Sequence, residues 1–224
     1  MLREPQLDEA RLAADRAVLQ AIQARVELGA HDGPDAEALA LRRLLDGVTR
    51  EEAAVLRAVW GRMTPDRSLV IWGGAAQVLA ADRFGVAGRL AAEPEAALKA
   101  ASEGAWAVLD VQPRPWWARL LAQPNLRVVG CLPDDRHLKP QVLIVSTGQP
   151  GPTGEDRTFW VTDSALPDAG VVGALGQAGL AAQPLSSSGG LKLFALSGYV
   201  QAEDGRLTDA PGRLHGVIGA APLF

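Results

Sequence analysis

Ser68-Leu69-Val70-Ile71-Trp72-Gly73-Gly74-Ala75-Ala76 is the stretch on which the fold turns. Its apolar run is too short for a buried helix, contains the β-branched Val70 and Ile71, and is closed by two glycines. That combination reads as a strand. Gly73-Gly74 then reads as the turn into a helix over 75–83. Upstream of this stretch the apolar spacing is helical throughout, so the change of period divides a helical segment from an α/β one.

Downstream, a helix is expected at 93–103, a strand at 106–111, a helical turn at 116–121 and strands at 126–131 and 141–146. Alternating β and α predicts a mainly parallel sheet. Gly148-Gln149-Pro150-Gly151-Pro152-Thr153-Gly154 is dense in chain breakers and marks a second boundary. Beyond it the pattern gives a strand at 158–162, a helix at 169–178 and strands at 183–187 and 192–199. The tail 205–224 is Gly-rich and carries only weak signals. The expected division is a helical arm over 1–65, an α/β region over 66–147 and a third region over 155–224.

Upstream, residues 7–29 place Leu12, Val18, Leu19, Ile22 and Val26 on a helical stripe. A second helix is expected over 35–46. Thr49-Arg50-Glu51-Glu52 has the capping-box spacing and opens a third, which Pro65 ends. Three such helices are too small to bury their stripes alone, which predicts a homodimer through the arm, or docking.

Composition narrows the function classes. The net charge is −4, and the basic residues are scattered without a basic block, which argues against nucleic acid and anionic membranes as partners. No apolar stretch reaches bilayer-spanning length and no signal-peptide core is visible, so the cytoplasm is the expected compartment. The single Cys131 cannot form an internal disulfide and sits in an apolar run. His31, His137 and His215 lack metal-ligand spacing, and no nucleotide-binding glycine motif occurs, so neither metal nor cofactor is expected. Lys99 is the first of only three lysines.

The cadence Leu7, Asp15, Leu19, Arg25, Leu28 resembles the first helix of the all-helical chorismate mutases. The segments Val70-Ile71-Trp72-Gly73-Gly74 and Gly104-Ala105-Trp106-Ala107-Val108-Leu109 resemble a degenerate prephenate dehydratase. The region from Arg157 through Ala169-Gly170-Val171 to Leu193-Phe194-Ala195-Leu196-Ser197-Gly198-Tyr199 is similar to an ACT regulatory domain. The resemblance implies an α+β, mixed architecture: a three-helix arm, an α/β body and an ACT-like βαβ portion.

What it implies about function is the conversion of chorismate to prephenate in aromatic amino-acid biosynthesis. Fixing one conformer of a dianion needs cations on its carboxylates and no covalent step. On this resemblance Arg25 would grip a carboxylate and Glu37 would orient the ring hydroxyl, with Arg11, Arg42 and Arg43 as auxiliary substrate contacts. Several family positions differ: Asp8 stands where an arginine is expected, no lysine precedes Lys99, and the register of the expected third-helix glutamine falls at Val70. The segment Lys139-Pro140-Gln141-Val142-Leu143 lacks the Thr-Arg pair of the dehydratases, so dehydratase activity is not expected. Weaker ligand contacts are Gly73 and Gly74, through backbone N–H groups at a helix start, and Gly170 and Ser187 in the ACT-like part. The alternative reading is a non-catalytic, regulatory module that binds a small anion or an amino acid.

Overall fold

The computed structural model describes residues 8–28, 33–63, 68–85 and 88–224, without the side chains of residues 21, 24, 25, 28 and 51. The expected helix stop at Gly29, His31 and the helix-ending Pro65 lie outside the described residues. Helices α1 (Glu9–Leu28), α2 (Pro34–Leu45) and α3 (Arg50–Arg62) come first. At the start of α3 the Thr49 hydroxyl accepts the Glu52 N–H at 3.2 Å while the Glu52 carboxylate accepts the Thr49 N–H at 2.8 Å. This is the reciprocal capping box that the spacing predicts.

The body follows as β1 (Leu69–Trp72), α4 (Gly74–Phe84), β2 (Arg89–Leu90), α5 (Pro94–Ser102) and β3 (Trp106–Asp110). A 3-10 helix (Trp116–Ala122) leads into β4 (Arg127–Leu132), β5 (Val142–Ser146), β6 (Asp156–Thr162), α6 (Asp168–Gln177), β7 (Ala182–Ser188), β8 (Leu191–Ser197) and β9 (His215–Pro222). All strands belong to one sheet of order β2-β1-β3-β5-β4-β9-β6-β8-β7.

The sheet is mixed, which corrects the expectation of a mainly parallel one. Only β1 with β2, β1 with β3, and β4 with β9 pair in parallel. The link between β4 and β5 spans only 133–141, too short for a crossover, so β5 turns back and inserts antiparallel between β3 and β4. The two-residue turn Gly189-Gly190, with φ of 60° and 79°, folds β7 onto β8 as a hairpin. The weakly patterned tail supplies β9, a central strand that joins β4 to β6.

Each face of the sheet is covered. Ala76, Ala80 and Phe84 of α4 pack on Leu69, Ile71 and Val108. On the opposite face α5 and the 3-10 helix bury Leu98, Trp116, Trp117 and Leu120 against Val70, Leu109 and Val145. The same cluster reaches Phe159, Leu185 and Leu193, so the sheet curls around the 3-10 helix. Trp160 points to the other side of β6 and packs with Phe194 under Val171 and Leu175 of α6. Full burial of each such side chain contributes about 1.5–3 kcal/mol.

The first three helices are seated on this body. Helix α1 turns Ala17 towards Leu56 of α3 and leaves Leu19 and Val26 outward, 59% and 71% exposed. Helix α2 buries Ala38 and Leu41. Arg42 reaches from it to the backbone carbonyls of Thr153, Glu155 (3.1 Å) and Leu223 (2.9 Å) and to the Thr153 hydroxyl (3.1 Å). Among the described residues no helix is long and apolar enough to cross a membrane.

Candidate functional site

Helices α4 and α5 lie on opposite faces, and the chain leaves β1 towards one face and β3 towards the other. The carboxyl ends of β1 and β3 therefore part at a point where the winding reverses, the position at which open α/β sheets form ligand crevices. A cleft of about 490 Å³ opens there, lined by Ala75, Asp110, Val111, Gln112, Pro133, Leu138, Lys139, Pro140, Gln141 and Leu185. Leu185 comes from β7 at the far end of the strand order and reaches the cleft because the sheet curls.

Local sequence fixes its floor. Gly73 has φ of 106°, and a Cβ there would overlap the Asp110 carboxyl, so a glycine is required for β1 to turn beneath that group. The Asp110 carboxylate accepts the N–H groups of Ala75 at 3.2 Å and Ala76 at 2.6 Å, closing the first turn of α4. The Asp110 carbonyl accepts the Trp116 indole N–H at 2.7 Å, and the Val111 carbonyl accepts that of Trp117 at 3.2 Å. Two buried indoles thus pin the end of β3.

The wall over 133–141 is held from both sides. Asp134 meets the Arg83 guanidinium at 3.0 Å and Arg57 at 3.6 Å. From beneath, buried Arg157 donates to the carbonyls of Leu138 at 3.2 Å and Arg136 at 3.3 Å. Cys131 lies in the same region, its thiol pushed up to about 12 by burial, with the positive field of Arg157 opposing in part. It is therefore a neutral thiol at physiological pH.

The cleft's polar groups divide by engagement. Asp110 is committed to α4. The Lys139 ammonium has no acidic partner among the described residues, and the exposed Gln112 and Gln141 side chains stand beside it. One cation and two amides can bind an acidic group and orient hydrogen-bonding neighbours. Sequence reasoning recognised the β1 turn and weighed the segment that holds Lys139 and Gln141 for a Thr-Arg pair, but gave no role to Lys139, Asp110, Gln112 or Gln141. The available signal was a chemistry-bearing residue just past the carboxyl end of a strand, at Asp110 and Gln112.

The residues expected to form a site stand in different surroundings. Arg11 and Arg43 are exposed, and the side chain of Arg25 lies outside the described residues. Glu37 is buried where α2 meets the sheet, beside a small cavity of about 70 Å³. The terminal nitrogens of Arg42 are engaged by carbonyls, as given above, and its guanidinium stands 5.7 Å from the Phe224 ring centre. At Gly73 and Gly74 the helix start already holds an anion, the chain's own Asp110. Gly170 and Ser187 come near one another through Asp168: its carboxylate accepts the Ser187 hydroxyl at 3.2 and 3.3 Å and pairs with Lys192 at 3.1 Å. Among the described residues no group of three or more His, Cys, Asp or Glu side chains could hold a metal ion.

No family model matches the chain, and no curated protein matches it. Among solved structures it is similar to one described as "GqqA- a novel type of quorum quenching acylases", at 16% identity, a TM-score of 0.48, and coverage of 71% of this chain and 96% of that one. A likeness that distant does not carry an activity across. These findings correct the resemblance drawn above: no chorismate mutase, prephenate dehydratase or ACT family is matched, and the similar structure is described as an acylase. The expected mutase reaction, its place in aromatic amino-acid biosynthesis and the regulatory module derived from those enzymes are withdrawn with it.

Proposed function

We propose that the cleft at the carboxyl ends of β1 and β3 binds a small polar molecule through an acidic group that docks on Lys139. The observation that carries this reading is a lysine without an acidic partner among the described residues, in a cleft of about 490 Å³ at the reversal of winding. That volume lies within the usual 300–1,000 Å³ of small-molecule sites. Gln112 and Gln141 are placed to orient the rest of the ligand, and Leu138 and Leu185 offer it apolar contact.

The chain contains three lysines, so labelling lysine with ¹³C at Cε gives three side-chain signals, and Lys139→Met assigns the one in the cleft. Acetate, succinate, citrate, inorganic phosphate and a sugar phosphate are the probes to titrate. The expected result is saturable movement of the Lys139 signal with at least one of them and, by isothermal titration calorimetry, binding at least about tenfold weaker in Lys139→Met. No movement with any probe, or an unchanged binding constant in the variant, would overturn the reading.

A further inference from the structure

The seam between β4 and β9 holds a second cleft, unconnected with Lys139. The two strands meet through one register pair, Val128 with Gly219. Gly219 has φ of 140°, and a Cβ on it would run into the Val128 backbone, so main chain lies directly on main chain there. Beside this contact a cleft of about 330 Å³ opens, walled by Arg127 from β4, Val217 from β9, and the segments that carry Gln149, Tyr199, Gln201 and Glu203. The Tyr199 hydroxyl donates to the Pro150 carbonyl at 2.9 Å and ties two of those segments together. Burial, with the carboxylates of Asp35, Asp156 and Glu203 adding to it, raises the phenol above its ordinary value, so it remains a donor.

The charges in this wall are complementary but not joined. Arg127 donates to the Leu126 carbonyl at 3.2 Å and has no acidic partner among the described residues. Glu203 has no basic partner among them. Arg127 is half-buried and Glu203 exposed, and both line one cleft together with Gln149, Gln201 and Val217. We propose that this cleft binds a zwitterion of the α-amino-acid class, its carboxylate on Arg127 and its ammonium on Glu203. A guanidinium offers a carboxylate two parallel N–H donors, and a carboxylate accepts an ammonium. The volume lies at the lower end of small-molecule sites and accommodates an amino acid.

Tyr199 is the chain's only tyrosine, so labelling with ¹⁵N,¹³C-tyrosine gives a single reporter inside the cleft. The twenty free amino acids are titrated first, and each that binds is compared with its N-acetyl and its carboxamide derivatives. The expected result is saturable movement with at least one free amino acid at millimolar concentration, and binding about tenfold or more weaker for both derivatives. Arg127→Gln should abolish the preference over the carboxamide and Glu203→Gln the preference over the N-acetyl form, while Lys139→Met leaves both unchanged. A reporter that moves with no amino acid overturns the proposal. So does one that moves equally with the free and the capped forms, or variants that retain both preferences.

Discussion

Replacing Asp110 tests the construction of the β1–β3 crevice most directly. Asp110→Ala removes a carboxylate that accepts two backbone N–H groups, at 2.6 and 3.2 Å, from the first turn of α4. Loss of a helix cap costs about 0.5–2 kcal/mol, and loss of an anion at the positive end of the helix dipole a further ~0.3–1 kcal/mol. The two overlap, so the expected destabilisation is about 1.5–2.5 kcal/mol. In a chain of 224 residues, each kcal/mol moves Tm by about 2–4 °C, which gives a fall of about 3–10 °C in a thermal melt. Asp110→Asn keeps an acceptor oxygen without the charge and should lose less than half as much. The alanine variant also bares the helix start that the parent keeps filled. Inorganic phosphate at about ten times its Kd should then restore about 1.4 kcal/mol to Asp110→Ala and do less for the parent. A Tm within about 1 °C of the parent, or equal stabilisation of both proteins by phosphate, would refute this account of the crevice floor.

Arg42→Met should cost about 2–4 kcal/mol, because it leaves three carbonyls without their charged donor; Arg43→Met, on the exposed side of α2, should stay within about 0.5 kcal/mol by the same denaturant titration. Cys131 should resist a thiol reagent such as Ellman's at pH 8 in the folded protein and react on unfolding. Its folded pKa of about 12 lies above the ordinary 9.0, so the associated stability is complete below pH 9 and is lost as pH rises from 9 towards 12; rapid native labelling would contradict this. Gly219→Ala, against the Val128 backbone and at positive φ, should cost more than about 3 kcal/mol. Gly173→Ala, inside α6 with nothing near its Cβ position, should stabilise by about 0.5–1 kcal/mol. Leu56→Ala, buried at 1% exposure beneath α1, should cost about 2–4 kcal/mol, whereas Leu19→Ala, 59% exposed, should cost under 1 in the same assay.

Strong local signals carried over into structure where one residue's neighbours in sequence are also its partners. The Thr49–Glu52 spacing became a capping box, and the run 69–72 with its glycines became β1 and the turn beneath Asp110. What failed depends on distant partners. Strand β9 reads weakly because Gly216, Gly219, Ala220 and Ala221 have little β propensity, yet their small size is what permits backbone contact with β4 and central burial. Alternation of β and α cannot reveal that β5 inserts antiparallel, since strand direction follows from the length of the 133–141 link rather than from periodicity. The stripe of α1 is not buried within the chain: Leu12, Leu19 and Val26 stay exposed while Ala17 packs inward.

The same distinction explains why the cations were harder to read than the strands. Arg42 and Lys139 each have an aspartate four residues away, Asp46 and Asp135, so the sequence gives no ground for separating them. Arg42 meets acceptors 111, 113 and 181 residues away, three of them main-chain carbonyls and one the Thr153 hydroxyl, and no local pattern announces any of them. Such a cation contributes to the fold, because withdrawing it strands buried acceptors. Lys139, which is exposed, and Arg127, which is half-buried, instead line clefts whose walls come from separate parts of the chain, and neither meets an acidic group among the described residues. A cation so placed is hydrated until a ligand's acidic group takes the place of that water. Function here is therefore to be sought where a charge faces a cavity without a partner, and the two clefts, one with an ammonium alone and one with a guanidinium opposite a carboxylate, should differ in the single property of accepting or rejecting a ligand's positive charge.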